Sequence, residues 1–365
     1  MLEPKSARIA NIIIILSLSV ASLYFAAPFL IPVILAALLA MLLNRVSEML
    51  EKKGLNRALA ALVPVALVLG VVVLLVFVLS WQVNRMTDDF DNMKETVTTK
   101  IDAFRSWVSE TLGIPKAEQA KMLNGGERQA TQQTSTVVFS VINTLTSIAV
   151  DGVLIIVYTY LLIFYRAHLK KFILRIVPDD KRQDADRIVH KSVAVAGQYL
   201  IGLFKMVVVL WIMYGIGFSI AGLEGAILFA IICGMLEIVP FFGNFVGNLI
   251  AILAALAQGG DARMVLGIVL VYLTVQFLQT YILEPLVVGQ QVNINPLFTI
   301  MGLVAGELLW GIAGMALAIP LIGIIKIICD NIPQLQAYGA LIGPAGTRKN
   351  RTSFLDSLKG MLRRK

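Results

Sequence analysis

The sequence predicts an all-α, polytopic membrane protein with six to eight transmembrane helices, two of whose C-terminal segments are broken. Three observations carry that prediction. Hydrophobic residues make up 58% of the 365-residue chain and charged residues only 15%, against about 45–50% and about 25% in soluble domains. The mean hydropathy is +0.82, and the apolar residues are gathered into long uncharged runs. Lysine and arginine cluster in a few loops between those runs and at the C-terminus, as the positive-inside rule requires. The net charge of +8 therefore reads as orientation and contact with anionic lipid. It does not read as a nucleic-acid surface, because no basic run is interleaved with aromatic residues.

Residues 1–84 read as a membrane hairpin followed by a third helix. Lys5 and Arg8 precede an uncharged run from Ile9 to Asn44, which is too long for one crossing of about 20 residues. Pro28 and Pro32 mark a turn inside it. The run is also too long for a cleaved signal peptide. Arg45, Lys52, Lys53 and Arg57 place the next loop and the N-terminus in the cytoplasm. The third span is Ala58–Asn84, with Pro64 in its first turns.

Residues 85–135 are different in kind. From Arg85 to Gln133 there are seven Lys/Arg and eight Asp/Glu. Met86, Phe90, Met93, Val97, Ile101, Phe104, Val108 and Leu112 step by three or four, the signature of an amphipathic helix close to a heptad seam. It fits either a helix lying on its own protein's surface or a seam between subunits, outside the membrane. Residues 136–192 hold a fourth span and a basic cytoplasmic loop. That loop, Arg166–Lys191, has eight Lys/Arg against four acids, and Pro178-Asp179-Asp180 looks like a turn opening a helix.

Residues 193–330 read as the transport core. Within them one pattern is written twice. Gly234-Met235, Pro240 and Gly243 recur 80 positions later as Gly314-Met315, Pro320 and Gly323. Gly222-Leu223 likewise falls on Gly302-Leu303. Paired apolar segments interrupted by Gly and Pro in corresponding positions point to a transport site. Gly225–Ala257 would be about 50 Å long as one helix, longer than a bilayer. Each copy is then either a re-entrant hairpin, giving six full crossings, or a single broken crossing, giving eight. Met264–Leu283 is a clean crossing between them. Residues 331–365 form a basic tail with an apolar stripe, Phe354, Leu355, Leu358 and Leu362, expected to lie on anionic lipid in the cytoplasm.

Ionisable groups at membrane depth are costly and mark a pathway or a pair. Here they are Asp151, Lys205, Glu237, Glu284 and Glu307, with Lys326 near a helix end. Glu237 stands three residues before Pro240, whose missing N–H frees a carbonyl in the preceding turn. A carboxylate there suits a proton or a small cation, or caps the break as a satisfied polar group. Gln276, Gln279 and Glu284, just before Pro285, step round nearly one helix face. That face meets protein or water rather than lipid, as a hydrogen-bond network or a substrate contact. Asn244, Asn248 and Asn293 add neutral donors and acceptors beside the breaks. Glu307, beside Trp310, fits either a deep group or an interfacial anchor. Lys205 is expected to pair with an acid, Asp151 or Glu237. The expected pathway is thus Glu237, Pro240, Gly243, Asn244, Gln276, Gln279, Glu284, Pro285, Glu307, Gly314 and Pro320.

Catalysis and cofactors are not expected. Both histidines, His168 and His190, fall in the cytoplasmic loop with no nucleophile set beside them. Cys233 and Cys329 have no partner at metal-ligand spacing. The phosphate-binding G-x-x-x-x-G-K-[ST] motif of ATP-driven transporters is missing.

The chain resembles the autoinducer-2 exporter family of bacterial permeases. The resemblance rests on Glu237-Ile238-Val239-Pro240-Phe241-Phe242-Gly243, on Gln279 to Glu284-Pro285 with Gly289, and on Asn295-Pro296-Leu297. It continues in Trp310-Gly311-Ile312-Ala313-Gly314-Met315 and in Ile319-Pro320-Leu321 with Lys326 and Asp330. The N-terminal half resembles the family in layout only. The resemblance implies a bacterial inner-membrane transporter that does not hydrolyse ATP and assembles as a homo-oligomer. Its cargo would be a small polar solute of the autoinducer-2 kind, or a monovalent cation exchanged for protons. The competing reading is a passive channel or a non-transporting scaffold.

Overall fold

The computed structural model describes residues 5–87, 134–239, 242–288 and 293–344. The extramembrane insert from residue 88 to 133 and the basic tail from residue 345 lie outside the described residues. The described residues are helical throughout, with no strand among them. In chain order the helices are α1 (Lys5–Phe25), α2 (Ala27–Lys52), α3 (Arg57–Thr87), α4 (Thr134–Ile176) and α5 (Arg182–Ile220). They continue as α6 (Ala226–Leu236), α7 (Phe242–Ala257) and α8 (Ala262–Leu278), which runs into a π-helix, Gln279–Val288. The last are α9 (Pro296–Asn331) and the short α10 (Gln336–Ile342).

Among the described residues, six segments are long and apolar enough to cross a membrane. They lie in α2, α3, α4, α5, α8 with the start of the π-helix, and α9. The chain is a multi-pass membrane protein. Its helices carry large apolar side chains outward, among them Leu67, Leu74 and Phe77 of α3. Lipid tolerates that surface because a helix bonds its backbone groups within itself.

The first two helices are parted by Ala26 alone, earlier than the two prolines. Pro28 stands in the first turn of α2, where its missing N–H costs nothing, and Pro32 lies inside the helix. Between α4 and α5 the expected turn is a short 3₁₀ segment, Asp179–Lys181, opened by Pro178. Lys170 and Asp186 join the two helices there at 2.7 Å.

The chain divides into two compact units. The first comprises Met1–Arg45, Leu162–Ile201 and Gln290–Lys365; the second comprises Val46–Leu161 and Gly202–Gly289. The second unit is built on Leu210, Tyr214 and Phe218 of α5, Phe229 and Cys233 of α6, Ala251 and Ala255 of α7, and Ile268 and Val275 of α8. In the first unit Leu38, Ala196 and Leu317 form the core, with Leu200 and Leu321 against them. Gly197 there lets α5 approach the Met41 carbonyl, which a Cβ would meet at 3.1 Å. Small residues at such points let helices pack tightly where lipid supplies no hydrophobic drive.

Each unit holds a segment of the repeated pattern folded back on itself. In the second unit α6 and α7 fold back on each other. Gly247 lies against Cys233, whose Sγ donates to the Gly247 carbonyl at 3.3 Å, and Gly243 lies against the Leu236 backbone. The two ends of this hairpin meet. The Gln258 side-chain amide donates to the Glu224 carbonyl and accepts from the Glu224 N–H, both at 2.9 Å. The α6 arm has 11 residues, about 17 Å at 1.5 Å per residue. That is too short to cross a bilayer core of about 30 Å. The segment therefore folds back before reaching the length of a crossing.

The second hairpin, in the first unit, is α9 itself. It is broken at Trp310–Gly311, where the backbone leaves the helical region and Gly311 takes φ 59°, a conformation open to glycine at no steric cost. Gly306 packs against the Gly314 backbone across the turn, and Gly302 against Ile322. The sequence pattern places this break at Pro320, but the helix runs through Pro320 and turns ten residues earlier. A proline removes one hydrogen bond and bends a membrane helix, which neighbours can repair. Here the reversal is made at Gly311, through its positive φ.

Candidate functional site

The first hairpin brings its one acid, Glu237, to the inside of its unit. Glu237 caps the C-terminal end of α6, and its backbone N–H still bonds the Cys233 carbonyl at 3.1 Å. Its side chain is only 7% exposed, as is that of Gln279. The two meet. Gln279 Nε2 donates to a Glu237 carboxyl oxygen at 2.6 Å, a short bond of the kind a carboxylate accepts. Gln279 is the residue where α8 gives way to the π-helix. A stretch of π winding inside a longer helix is uncommon and often stands at a functional site.

Other groups surround the pair. Tyr214 of α5, Cys233 of α6, Tyr272 of α8 and Glu284 of the π-helix all lie within electrostatic reach of Glu237. Among the described residues no lysine or arginine pairs with it. Gln276, one turn before Gln279, spends its Nε2 on the Thr280 hydroxyl at 3.2 Å. Among the described residues of α7, α8 and the π-helix, three side-chain oxygens are buried without a hydrogen-bond partner: Oε1 of Gln276, Oε1 of Gln279 and Oδ1 of Asn248. All three are acceptors.

The remaining sequence candidates fall as follows. Gly243 is buried at the close approach of the hairpin arms. Glu284 is exposed. Pro240 lies outside the described residues, as do the side chains of Asn244, Pro285 and Asp151. Lys205 is exposed on α5 and meets no carboxylate among the described residues; it does not pair with Glu237, and the side chain of Asp151, its other expected partner, lies outside the described residues. Glu307, Gly314 and Pro320 belong to the other unit. Glu307 is exposed on the first arm of α9, Gly314 seals the arm contact, and Pro320 is buried within the helix. Among the described residues no three of His, Cys, Asp and Glu gather as a transition-metal site would need.

Two contributors escaped the sequence reading. Trp211 of α5 donates from Nε1 to the Ile231 carbonyl at 3.1 Å and packs where Gly234 has no side chain. Gln258 closes the base of the hairpin. A glutamine followed by two glycines at the end of an apolar run is the one local signal for the latter.

Comparison with known proteins gives a consistent answer. The family model described as AI-2E family transporter matches residues 13–334. YrrI of Bacillus subtilis (strain 168), provisionally named a transport protein, is 26% identical over 314 residues, covering 84% of this chain and 87% of the relative. PerM of Escherichia coli (strain K12), provisionally named a permease, is 26% identical over 342 residues, 89% of this chain and 93% of the relative. YhhT of the same strain, again provisionally a transport protein, is 22% identical over 346 residues, 94% and 95% of the two chains.

Proposed function

The chain belongs to the AI-2E transporter family, and on that premise we propose a secondary transporter of the bacterial inner membrane. Its substrate site lies where the first hairpin meets the π-helix. The observation that carries this reading is the buried Glu237–Gln279 pair, 2.6 Å apart, joining the first hairpin to the π-helix with, among the described residues, no cationic side chain paired with the acid. A carboxylate in a membrane interior is kept where it serves a pathway, and broken helices at mid-membrane are the usual setting of transport sites.

The cargo is a small polar solute of the autoinducer-2 kind, moved outward, with Gln276 and Gln279 bonding its hydroxyls. Exchange of a monovalent cation for protons is a second reading, favoured by the uncompensated charge of Glu237, which either ion can neutralise. Both termini lie in the cytoplasm by the placement of basic loops, the basic tail rests on anionic headgroups, and the chain assembles as a homo-oligomer.

Flux from proteoliposomes tests the proposal. Labelled polyhydroxylated solute and sodium are followed with and without a pH gradient, for the parent chain and for Glu237→Gln. Gradient-driven flux that falls at least tenfold in the variant is expected. Flux indifferent to any gradient would make the protein a passive channel. Coupled flux untouched by Glu237→Gln would remove Glu237 from the site.

A further inference from the structure

Away from Glu237, the corner where α7 turns into α8 carries a groove of about 570 Å³. We propose that it binds one phospholipid with a primary-amine headgroup, of the phosphatidylethanolamine kind. The acyl chain lies in the groove and the headgroup between Asp261 and Arg263. The proposal stands apart from the transport reading and needs only that α8 spans the membrane.

The groove is apolar. Leu256 of α7 lines it together with Ala262, Val265, Leu266 and Val269 of α8. The four α8 residues stand at i, i+3, i+4 and i+7, which is one face of a helix. Gly260, at the loop end, brings no side chain to cover the groove. Leu266 also begins an outward stripe of Leu266, Leu270, Leu273 and Phe277, each more than half exposed. The stripe is about 17 Å long at 1.5 Å per residue. The medium around the apolar face of a spanning helix is lipid chain. A chain seated in the groove therefore continues down the stripe without leaving apolar surface.

The charges beside the groove choose the headgroup. The span begins at Ala262, so this end of α8 stands at the edge of the bilayer core. Asp261 lines the groove. Arg263 follows Ala262 by one residue, about 100° round the helix, and borders the other rim. Both are exposed. Asp261 Oδ1 accepts from the Met264 N–H at 2.9 Å and so caps α8. Neither residue joins an ion pair among the described residues.

A guanidinium bonds a phosphate through its planar fork, and an ammonium offers a carboxylate three donors. An aminophospholipid answers both charges at once. Phosphatidylcholine has no N–H on its quaternary nitrogen, so Asp261 gains no hydrogen bond from it. Phosphatidylglycerol brings no cation, so its phosphate meets Asp261 uncompensated. A second copy of this chain on the same face would cover two opposite charges with apolar surface, and the cores of interfaces are depleted of charged residues.

The test uses the full-length chain purified in a mild detergent. Thermal unfolding and native mass spectrometry are recorded with phosphatidylethanolamine, phosphatidylcholine and phosphatidylglycerol of identical acyl chains. Saturable binding of phosphatidylethanolamine, at least threefold tighter than of either other lipid, is expected. Asp261→Asn keeps the cap of α8, since asparagine caps as well as aspartate, and should erase that preference. Arg263→Gln should weaken all three lipids several-fold, because all three carry the phosphate. Equal binding of the three lipids by the parent chain would overturn the proposal, as would a preference that survives Asp261→Asn. Leu266→Cys tests the occupant in phosphatidylethanolamine vesicles, the two native cysteines being buried. No cross-link between copies is expected there; efficient cross-linking would mean that a second copy covers the face, and the lipid site would fall.

Discussion

Replacing Gln279 by leucine isolates the contact on which the site depends. The substitution keeps the volume of the side chain, so little cavity or overpacking follows. It removes the N–H that meets Glu237 at 2.6 Å, in a place where both residues are 7% exposed. A buried acceptor stripped of its donor costs about 1–3 kcal/mol, and more when charged. At about 2–4 °C per kcal/mol for a chain of moderate length, the melting temperature should fall roughly 3–10 °C. The double variant Glu237→Leu with Gln279→Leu replaces both partners by apolar groups and should recover most of that loss, because neither is left unpaired. The measurement is thermal unfolding of the purified chain by intrinsic fluorescence, in choline buffer so that no alkali cation contributes. The coupling between the two positions should reach about 1–3 kcal/mol. Loss of the unpaired Gln279 Oε1 offsets part of the single loss, so the coupling decides: if the double variant loses the sum of the two single losses, the pair is not a buried, mutually dependent contact. The site as described would then fall.

Two further outcomes test the hairpins. Gln258→Ala removes both bonds to the Glu224 backbone, and amide exchange at Glu224 and Gly225 should quicken several-fold while the α5 core keeps its protection; unchanged exchange would mean that the hairpin base is held otherwise. Gly314→Ala sets a methyl group against the Gly306 carbonyl, a backbone atom that cannot swing aside. It should therefore destabilise by about 1–3 kcal/mol or more, whereas Gly70→Ala, with open space around it, should not destabilise; equal effects in the same melting assay would contradict the packing of the α9 arms.

What could be read from the sequence follows the physics each residue obeys. The membrane class and the long spans were legible because a lipid-facing helix must be apolar all round, a property of each residue singly. Glu237 stood out for the complementary reason, as a charge where none is tolerated without a purpose. Spacing set Gln276, Gln279 and Glu284 near one face, and the fold buries Gln279 while leaving Glu284 exposed. That Gln279 meets Glu237 was not visible from spacing, because 42 positions separate them and only the fold joins them. That Lys205 does not meet Glu237 was hidden on the same ground. Membrane depth can be read along a helix, but the direction a side chain faces depends on neighbours the spacing does not name, and Lys205 faces outward. Gln258 was invisible because its partner is a backbone amide, which every residue carries.

The 80-residue pattern has a meaning different from the one its prolines advertise. In the first segment the arm contacts, Leu236 with Gly243 and Cys233 with Gly247, centre on position 240 of the sequence, that of the proline. In the second, Gly306 with Gly314 and Gly302 with Ile322 centre on the Trp310–Gly311 turn, well before Pro320. The recurring glycines thus serve different close approaches in the two copies. Gly234 admits Trp211 of α5, while its counterpart Gly314 admits the opposite arm of its own hairpin. Matching residues do not occupy matching places, so the pattern repeats the need for small residues in packed membrane helices rather than one backbone copied twice. The difference extends to the acid. Leu317 stands in the pattern where Glu237 stands in the first copy, and it is buried in the apolar core of its unit with Leu38 and Ala196. A charge there would have no Gln279 to meet. The second hairpin is therefore built for packing at that position and the first for an ion or a polar ligand, and chemistry assigned to Glu237 should not be carried across the repeat.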